Sequence, residues 1–582
     1  MAARPTEPTP IVDAEGRPLE VFRTTWNETT REVTIHTHHT PVDWRKITPR
    51  PLWVKLIWCV FQFRGQMAAW YGATCLGGGV ALMRKPQLAL LQMLAWVIDQ
   101  IPDEVLEGVT EESLALLVDA EIDVLMETDG FDRYQAEMAT TALGIKPRSS
   151  ADFRWYVLAP DKAAALVTKG WIHNGLQGTE QPGTVFTQKE KDTVYDWIRR
   201  EAAPLAEPLS TATITVIDDC QPSGLGPYIK GPFIYRNHIQ NLGPQTGTPG
   251  TLPYDIVQWV MHENQMNRAR ATVFHPIHDF VFAGIPDRKV VFLPATFEML
   301  EHMPLSDEVM KACVAYINKR LAKNGGQNPL RFARGTCRKL TRPVITIVAR
   351  YCPAKYQELV IRAYAQARQE WLDAGKPLSQ FPILVVAGMY SVDDTDGEWV
   401  LPMVMELRDT VCAEFKNDVK VVQLDSERCM TAIIALAMLG LQPSKREGFE
   451  SRASEYIWWL VYVLVSNMGG LPIQMVDGVT GRVLSVTSAD AVEVWAKAIV
   501  EYVDNPKVSD QDQALRGRVF NDLNFWFTTV PNCVAWLYLM GEVLNNNDFA
   551  GNRQWVTDMA GFTDFGETLR GVSHAPQSAT TR

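Results

Sequence analysis

The chain lacks a GxxxxGK[ST] phosphate loop, a GxGxxG turn after a strand, a GxSxG nucleophile elbow, an HExxH pair and a GDD polymerase signature. These absences exclude the common nucleotide cradles, nucleophile turns and zinc sites that a sequence declares by spacing alone. Basic charge is also scarce. Lys and Arg number 56 against 67 Asp and Glu, a formal net charge of −11, which argues against a general nucleic-acid coat with cations to spare for phosphates. Paired cysteine spacing is missing: nine Cys lie scattered, an odd number that cannot complete a disulfide framework, so a reducing compartment is expected. Met1 to Glu20 is rich in Pro and acidic residues and carries no apolar run, so no secretory signal is expected. Uninterrupted apolar spans are missing too. Gly65 to Met83 contains Gly77-Gly78-Gly79, and Tyr456 to Val476 is broken by Gly469-Gly470 and Pro472. A broken helix in lipid leaves backbone groups unpaired, so both segments read as protein interior and no membrane partner is expected.

What is present is a chain able to fold. Hydrophobic residues make up 46% and charged residues 21% of 582 residues, more than one core usually serves, so two to four lobes are expected. Eighteen Trp form a surplus of large rings suited to cores or to subunit contacts.

Patterning divides the chain. Residues 1–50 read as an N-terminal arm with one short strand at Glu32 to His36, and 51–167 as a helical lobe in which Trp53, Leu56, Ile57, Val60 and Phe61 share a face. Residues 168–300 read as a Gly- and Pro-rich excursion, with short strands at Thr213 to Ile217 and Val290 to Leu293 and a helical segment near Tyr254 to Asn267. Residues 301–440 join a basic stretch to a βαβαβα-like alternation, with apolar runs Val344 to Val348, Ile383 to Val386 and Val419 to Leu424. Residues 441–570 read as a C-terminal helical lobe, Tyr456 to Val465 being one of its buried helices, and 571–582 as a mobile tail.

Charge is segregated. Residues 99–137 hold thirteen acidic side chains against Arg133 alone, whereas Val309 to Gln357 holds eleven basic residues and no acidic one. The candidate contact residues there are Lys319, Arg320, Lys323, Arg331, Arg334, Arg338, Lys339 and Arg342. With Phe332 and Tyr351 nearby they could meet RNA phosphates, or they could pair with acidic helices of the same protein or a neighbour. Two histidine groups, His36-Thr37-His38-His39 and His262 with His275 and His278, contain metal-ligand types without a ligand spacing. Asp393, Asp394 and Asp396 follow an expected strand where an α/β fold could place Mg²⁺, although a polar turn explains the same residues. No catalytic residue, cofactor or metal is assigned.

A long, acidic, Trp-rich, motif-free chain with an arm, Gly/Pro-rich excursions and segregated charge resembles the capsid proteins of double-stranded RNA viruses of the totivirus, partitivirus and chrysovirus kind. The resemblance lies in whole-chain character. It implies an α+β, mainly α-helical, multi-lobed shell-type subunit with a small α/β segment near 343–440. It also implies a non-enzymatic protein that forms dimers in an icosahedral homo-oligomeric shell around viral RNA and a polymerase, in the virion and the host cytoplasm. An RNA-binding nucleoprotein and a metal-dependent α/β enzyme are the alternative expectations.

Overall fold

The computed structural model describes residues 12–75, 79–140, 150–323, 329–389 and 395–562. Two compact units form from an interleaved chain: one from Phe22–Glu298 with Leu523–Arg582, the other from Met1–Val21 with Met299–Asp522. The expected tail at 571–582 and residues Gly77, Gly78, Asp393 and Asp394 lie outside the described residues.

The first unit begins with an antiparallel hairpin, β1 (Phe22–Trp26) and β2 (Val33–Thr37). Its main sheet holds β3 (Met67–Gly72), β4 (Asp152–Val157), β5 (Ile214–Asp218), β6 (Phe233–Arg236), β7 (Ala271–Phe274) and β8 (Val290–Phe292), edged by Gln554–Trp555. The spatial order from that edge is β8, β7, β6, β5, β3, β4, and every pair is parallel. Parallel strands need a helix or long crossover between them, so helices cover both faces and the strands read as unbroken apolar runs. All five residues of β5 are buried, as are all of β6, β7 and β8. Among the covering helices, Gly79–Ile98 is buried along almost its whole length, and Thr529–Asn545 buries Trp536 against Trp70 of β3.

The second unit holds β9 (Val344–Val348), β10 (Ile383–Met389), β11 (Val419–Leu424), β12 (Leu439–Gln442), β13 (Tyr462–Ser466) and β14 (Gly481–Leu484), all parallel, in the order β11, β10, β9, β12, β13, β14. Counted from β9 this is three-two-one-four-five-six, the doubly wound order. Winding reverses between β9 and β12, which pair over Ile345↔Leu439 and Thr346↔Gly440. Helices Gln357–Asp373, Gly397–Val411, Glu427–Ala435, Arg452–Trp458 and Ala491–Asp504 form its crossovers.

Two parallel sheets correct the expectation of a mainly helical, shell-type α+β subunit with α/β structure confined to 343–440. Strands as short as β8, with three residues, show no alternation when both faces are covered, and an apolar run of that length cannot be told from buried helix. Tyr456 to Val465, expected as one helix, is the end of helix Arg452–Trp458, a left-handed turn at Leu460 (φ 58°) and the start of β13. The aromatic surplus has a similar explanation. Trp44, Trp53, Trp70, Trp155, Trp197, Trp259, Trp495 and Trp536 are fully buried inside the two units, so these rings fill cores and offer no surface to copies of the chain. Nor is the acidic segment a bare surface: Arg45 and Arg50 pair with Asp119 and Glu112 of helix Glu111–Glu127, and Lys55 with Glu111. Among the described residues, no helix is long and apolar enough to cross a membrane.

Candidate active site

In an open parallel sheet, loops leaving the carboxyl ends of strands diverge where the winding reverses, and that crevice takes ligands. Here it lies between the loops after β9 and β12. The two loops are tied together, Gln442 Nε2 donating to the Val348 carbonyl at 3.0 Å and Lys445 N to that of Ala354 at 2.7 Å. Lys355, at the end of the β9 loop, places its buried ammonium on the carboxylates of both Glu447 and Glu450. Glu447 also accepts from Ser444 Oγ (3.1 Å) and from the Gly448 N–H (3.0 Å).

The loop after β13 clamps this arrangement. Gln474 Nε2 donates to the carbonyls of Phe449 (2.5 Å) and Gly470 (2.9 Å), while Ser454 Oγ donates to its Oε1. Gly469 has φ +56°, and a Cβ there would stand 1.8 Å from the Glu447 carbonyl oxygen, so backbone meets backbone at a spacing only glycine permits.

Behind Glu450 lies a second buried group. Arg452 donates to Glu427 (2.7 and 3.0 Å) and to Glu455 (2.6 Å), and His302 shares a hydrogen bond with Thr431 Oγ1 at 3.2 Å, its Nε2 lying 3.7 Å from Glu455. Burial alone would depress Lys355, but Glu447 and Glu450 outweigh it and hold the ammonium above its usual range. Burial pushes the carboxyls of Glu447 and Glu455 up against the pull of Lys355 and Arg452. It would also raise Glu450, yet Lys355 holds that group below the ordinary carboxylate range. Burial pushes His302 down to about 3, with Arg452 adding to the effect. Four carboxylates therefore face two fixed cations. Carboxylates are the natural acceptors for hydroxyl donors, and burial favours the protonated form of Glu447 and Glu455.

The first unit carries its own cluster at the carboxyl ends of β5 and β6. Asp218 closes β5, fully buried, and accepts from Arg84 (Nη2 2.6 Å, Nε 3.0 Å) and from His238 Nε2 at 2.7 Å. Arg84 continues through Gln87 to Asn532, so helix Thr529–Asn545 completes the network. Arg236 closes β6 with Nη2 on the Pro294 carbonyl (3.0 Å) and its guanidinium over Trp536, while its Nε and Nη1 find no partner among the described residues. Asp219 sits beside Asp218 at φ 93°, a conformation that costs about 1–3 kcal/mol and persists only where its surroundings enforce it.

Burial alone would raise Asp218, but Arg84 and His238 hold it far below the usual carboxylate range. Burial pushes His238 down to about 4, helped by Arg236 and opposed by Asp218. Above a pH of about 4 Asp218 is ionised and His238 neutral, the shared proton resting on Nε2, which leaves Nδ1 as an acceptor. An imidazole oriented by a buried carboxylate is suited to general-base work.

The residues singled out from sequence sit elsewhere. Lys319 donates to the Glu15 carbonyl (2.5 Å), Arg320 to that of Gln423 (3.1 Å), Arg338 pairs with Asp307 (3.1 Å) and Arg342 with Asp418 (2.5 Å). Lys323, Arg331, Arg334 and Lys339 are exposed. His39 pairs with Asp43, His36 with Thr25, and His275 packs its ring 5.5 Å from that of His238. Among the described residues, no group of three His, Cys, Asp or Glu side chains is placed to hold a metal ion. Asp396 is buried ahead of helix Gly397–Val411. Sequence reading missed Lys355, Glu447, Glu450, Arg452 and Glu455, and Arg84, Asp218, Arg236 and His238. The available signal was charge where burial was expected: Arg84-Lys85 inside an apolar run, and Glu447-Gly448 paired with Gly469-Gly470.

Both units are Rossmann-like, and two such units in one chain match the GT-B fold. Residues 135–281 match the family model "Trehalose synthase, N-terminal domain" and residues 333–515 match "Glycosyl transferases group 1". Asp218, Arg236 and His238 lie in the first matched segment, and Lys355 and the four carboxylates around it and Arg452 in the second. The chain is 28% identical over 432 residues to trehalose phosphorylase of Pleurotus pulmonarius, covering 70% of this chain and 55% of that protein. It is 25% identical over 399 residues to trehalose synthase of Thermococcus litoralis, covering 68% and 85%. It thus spans about half the length of the phosphorylases it matches. Among solved structures, the N-terminal domain of Candida albicans trehalose-6-phosphate phosphatase superposes with a TM-score of 0.53 at 10% identity, over 82% of this chain and 97% of that one. The UDP-forming α,α-trehalose-phosphate synthase of Burkholderia xenovorans superposes with a TM-score of 0.50 at 12% identity, over 67% and 86%.

These findings overturn the expectation of a double-stranded RNA virus capsid protein, its shell of dimers, its RNA and polymerase partners and its place in a virion and host cytoplasm. The same matches, all to proteins named as enzymes, correct the expectation of a non-enzymatic subunit and leave the nucleoprotein alternative without support.

Proposed function

We propose that this chain is a glycosyltransferase that makes or breaks trehalose, moving a glucosyl group between a phosphate-bearing carrier and glucose. The observation that carries the reading is the carboxylate-rich cluster at the switch point of a doubly wound unit, within the segment that resembles group 1 glycosyltransferases. Glucosyl hydroxyls are donors that carboxylates accept, and Glu447 and Glu450 are held in place by Lys355 and the glycine clamp. In the first unit, taken by itself, His238 oriented by Asp218 offers an acceptor of the kind a sugar hydroxyl proton needs. In the breaking direction a phosphate oxygen bonds to the anomeric carbon as the bond to the bridging oxygen opens, and that oxygen takes up a proton.

The phosphorylases among the relatives favour inorganic phosphate as the partner of trehalose. The test is incubation of the purified chain with trehalose and phosphate, followed by anion-exchange chromatography for glucose and glucose 1-phosphate. Parallel reactions supply glucose with glucose 1-phosphate or with nucleoside diphosphate glucose. Product in the phosphate reactions supports phosphorolysis, product only from the nucleotide sugar assigns a synthase, and no turnover in any of them rejects the reading.

A further inference from the structure

Charge also concentrates at the amino-terminal ends of β9 and β11, the edge of the second unit's sheet opposite the switch point. Arg342 Nη1 donates to Asp418 at 2.5 Å and its Nη2 to the Phe381 carbonyl at 2.9 Å. Arg368, from helix Gln357–Asp373, lies across the Phe415 ring at 4.1 Å with its Nε 3.8 Å from Asp418. Arg408, from helix Gly397–Val411, pairs with Asp409 at 2.7 Å. Lys420 of β11 is 2% exposed and donates to the Asn417 carbonyl at 2.6 Å. Four cations thus meet two carboxylates. Burial pushes Lys420 down to about 8, Asp418 opposes the shift, and Arg342 and Arg408 add to it.

Three of the guanidinium N–H groups make no hydrogen bond, although Arg368 Nε stays in ion-pair range of Asp418. Arg342 Nε, Arg368 Nε and Arg408 Nη1 are buried and find no hydrogen-bond partner among the described residues. Three in one basic cluster leave donors for a ligand to meet. The surplus of two positive charges matches a dianion. Tetrahedral oxygens suit guanidinium forks better than a planar carboxylate would, because each oxygen can accept from a different arginine. Side-chain exposure of 33% at Arg342 and 13% at Arg368 leaves an approach from solvent, while Arg408 at 7% and Lys420 at 2% are buried.

We propose that this edge of the second unit binds a phosphate dianion, either inorganic phosphate or the phosphoryl group of a sugar phosphate, at a site separate from the switch-point cluster. Its consequence would be a phosphate-level input to the same unit that holds the transfer chemistry, carried by helices Gln357–Asp373 and Gly397–Val411. Both helices start from loops on the switch-point side and present Arg368 and Arg408 near their far ends.

The test is isothermal titration of the full chain with inorganic phosphate and, in a second arm, with glucose 1-phosphate. The parent protein and the Arg368→Gln, Arg342→Gln and Arg368→Lys variants are compared. Loss of one charge-assisted contact should weaken one binding event by about ten-fold or more in both glutamine variants, with partial recovery in Arg368→Lys. Tighter binding of glucose 1-phosphate at the edited site assigns a sugar phosphate, and equal or weaker binding assigns free phosphate. Phosphate affinity and stoichiometry unchanged in both glutamine variants would overturn the proposal. Should Arg368→Gln misfold, Arg342→Gln, whose side chain is one-third exposed, gives the same reading. The readout is binding, so failure of the glycosyl-transfer reading would leave this result standing.

Discussion

Lys355→Met probes the switch-point cluster most directly. The lysine and its two carboxylate partners are each about nine-tenths buried, and removing the lysine leaves Glu447 and Glu450 facing one another without the cation they share. Breaking a buried pair from one side costs about 3–5 kcal/mol, which for a domain of this size lowers the melting temperature by about 10 °C. The sign of the pH dependence follows from the orphaned carboxylates. In the variant their folded-state pKa values rise above the unfolded ones, so the folded protein binds more protons and the deficit shrinks as pH falls. The loss should therefore be largest at pH 7.5 and smaller at pH 5. In the parent, Glu450 is held below its unfolded value, so its contribution is present at neutral pH and fades only as acid reaches the carboxylate range. Differential scanning calorimetry at the two pH values, with Lys355→Met/Glu450→Gln alongside, measures both effects, and the double variant should regain about half of the lost stability. A drop under 2 °C, or a loss of equal size at both pH values, would refute the reasoning.

Other substitutions follow the same logic. Asp218→Asn deprives Arg84 and His238 of their common partner and should lower the proposed trehalose turnover by about 10²-fold while Lys355-dependent stability is unchanged; retained turnover would remove His238 from the chemistry. His238 sits at about 4 against an ordinary 6.5, so it contributes stability above pH 6.5 that is lost as pH falls towards 4, up to about 3 kcal/mol. His238→Gln should flatten that part of the stability curve, and an unaltered curve would show that the imidazole titrates freely. Gly469→Ala forces a side chain into a left-handed position against the Glu447 carbonyl and should cost about 2 kcal/mol or more; a neutral change in melting temperature would mean that the loop relaxes at no cost.

The alternation from Val344 to Leu439 was legible because β9, β10 and β11 are separated by full-length crossover helices whose spacing the apolar pattern reveals. The first unit hid its sheet for the opposite reason. Its strands β6, β7 and β8 have three or four residues each and are linked by turns rich in Gly and Pro, so they read as an irregular excursion. The site was harder still. Lys355 stood among eleven cations and looked like one more member of a basic stretch, whereas burial beside two glutamates gives it a different task. Glu447 and Glu450 come from a loop some ninety positions away, and no short spacing announces the pairing. Asp218 and His238 meet only because β5 and β6 are neighbours, which pairwise register decides and local sequence does not.

Helix Thr529–Asn545 belongs to the first unit, where it packs against helices Arg50–Gln62 and Gly79–Ile98, yet more than two hundred residues of the second unit are synthesised before it. At about 5–20 residues per second, the apolar surfaces around Trp70 and Leu88 wait for tens of seconds without their lid. During translation that interval is the stretch in which this polypeptide is most open to aggregation. No single cut in the gene can release either half as a finished piece.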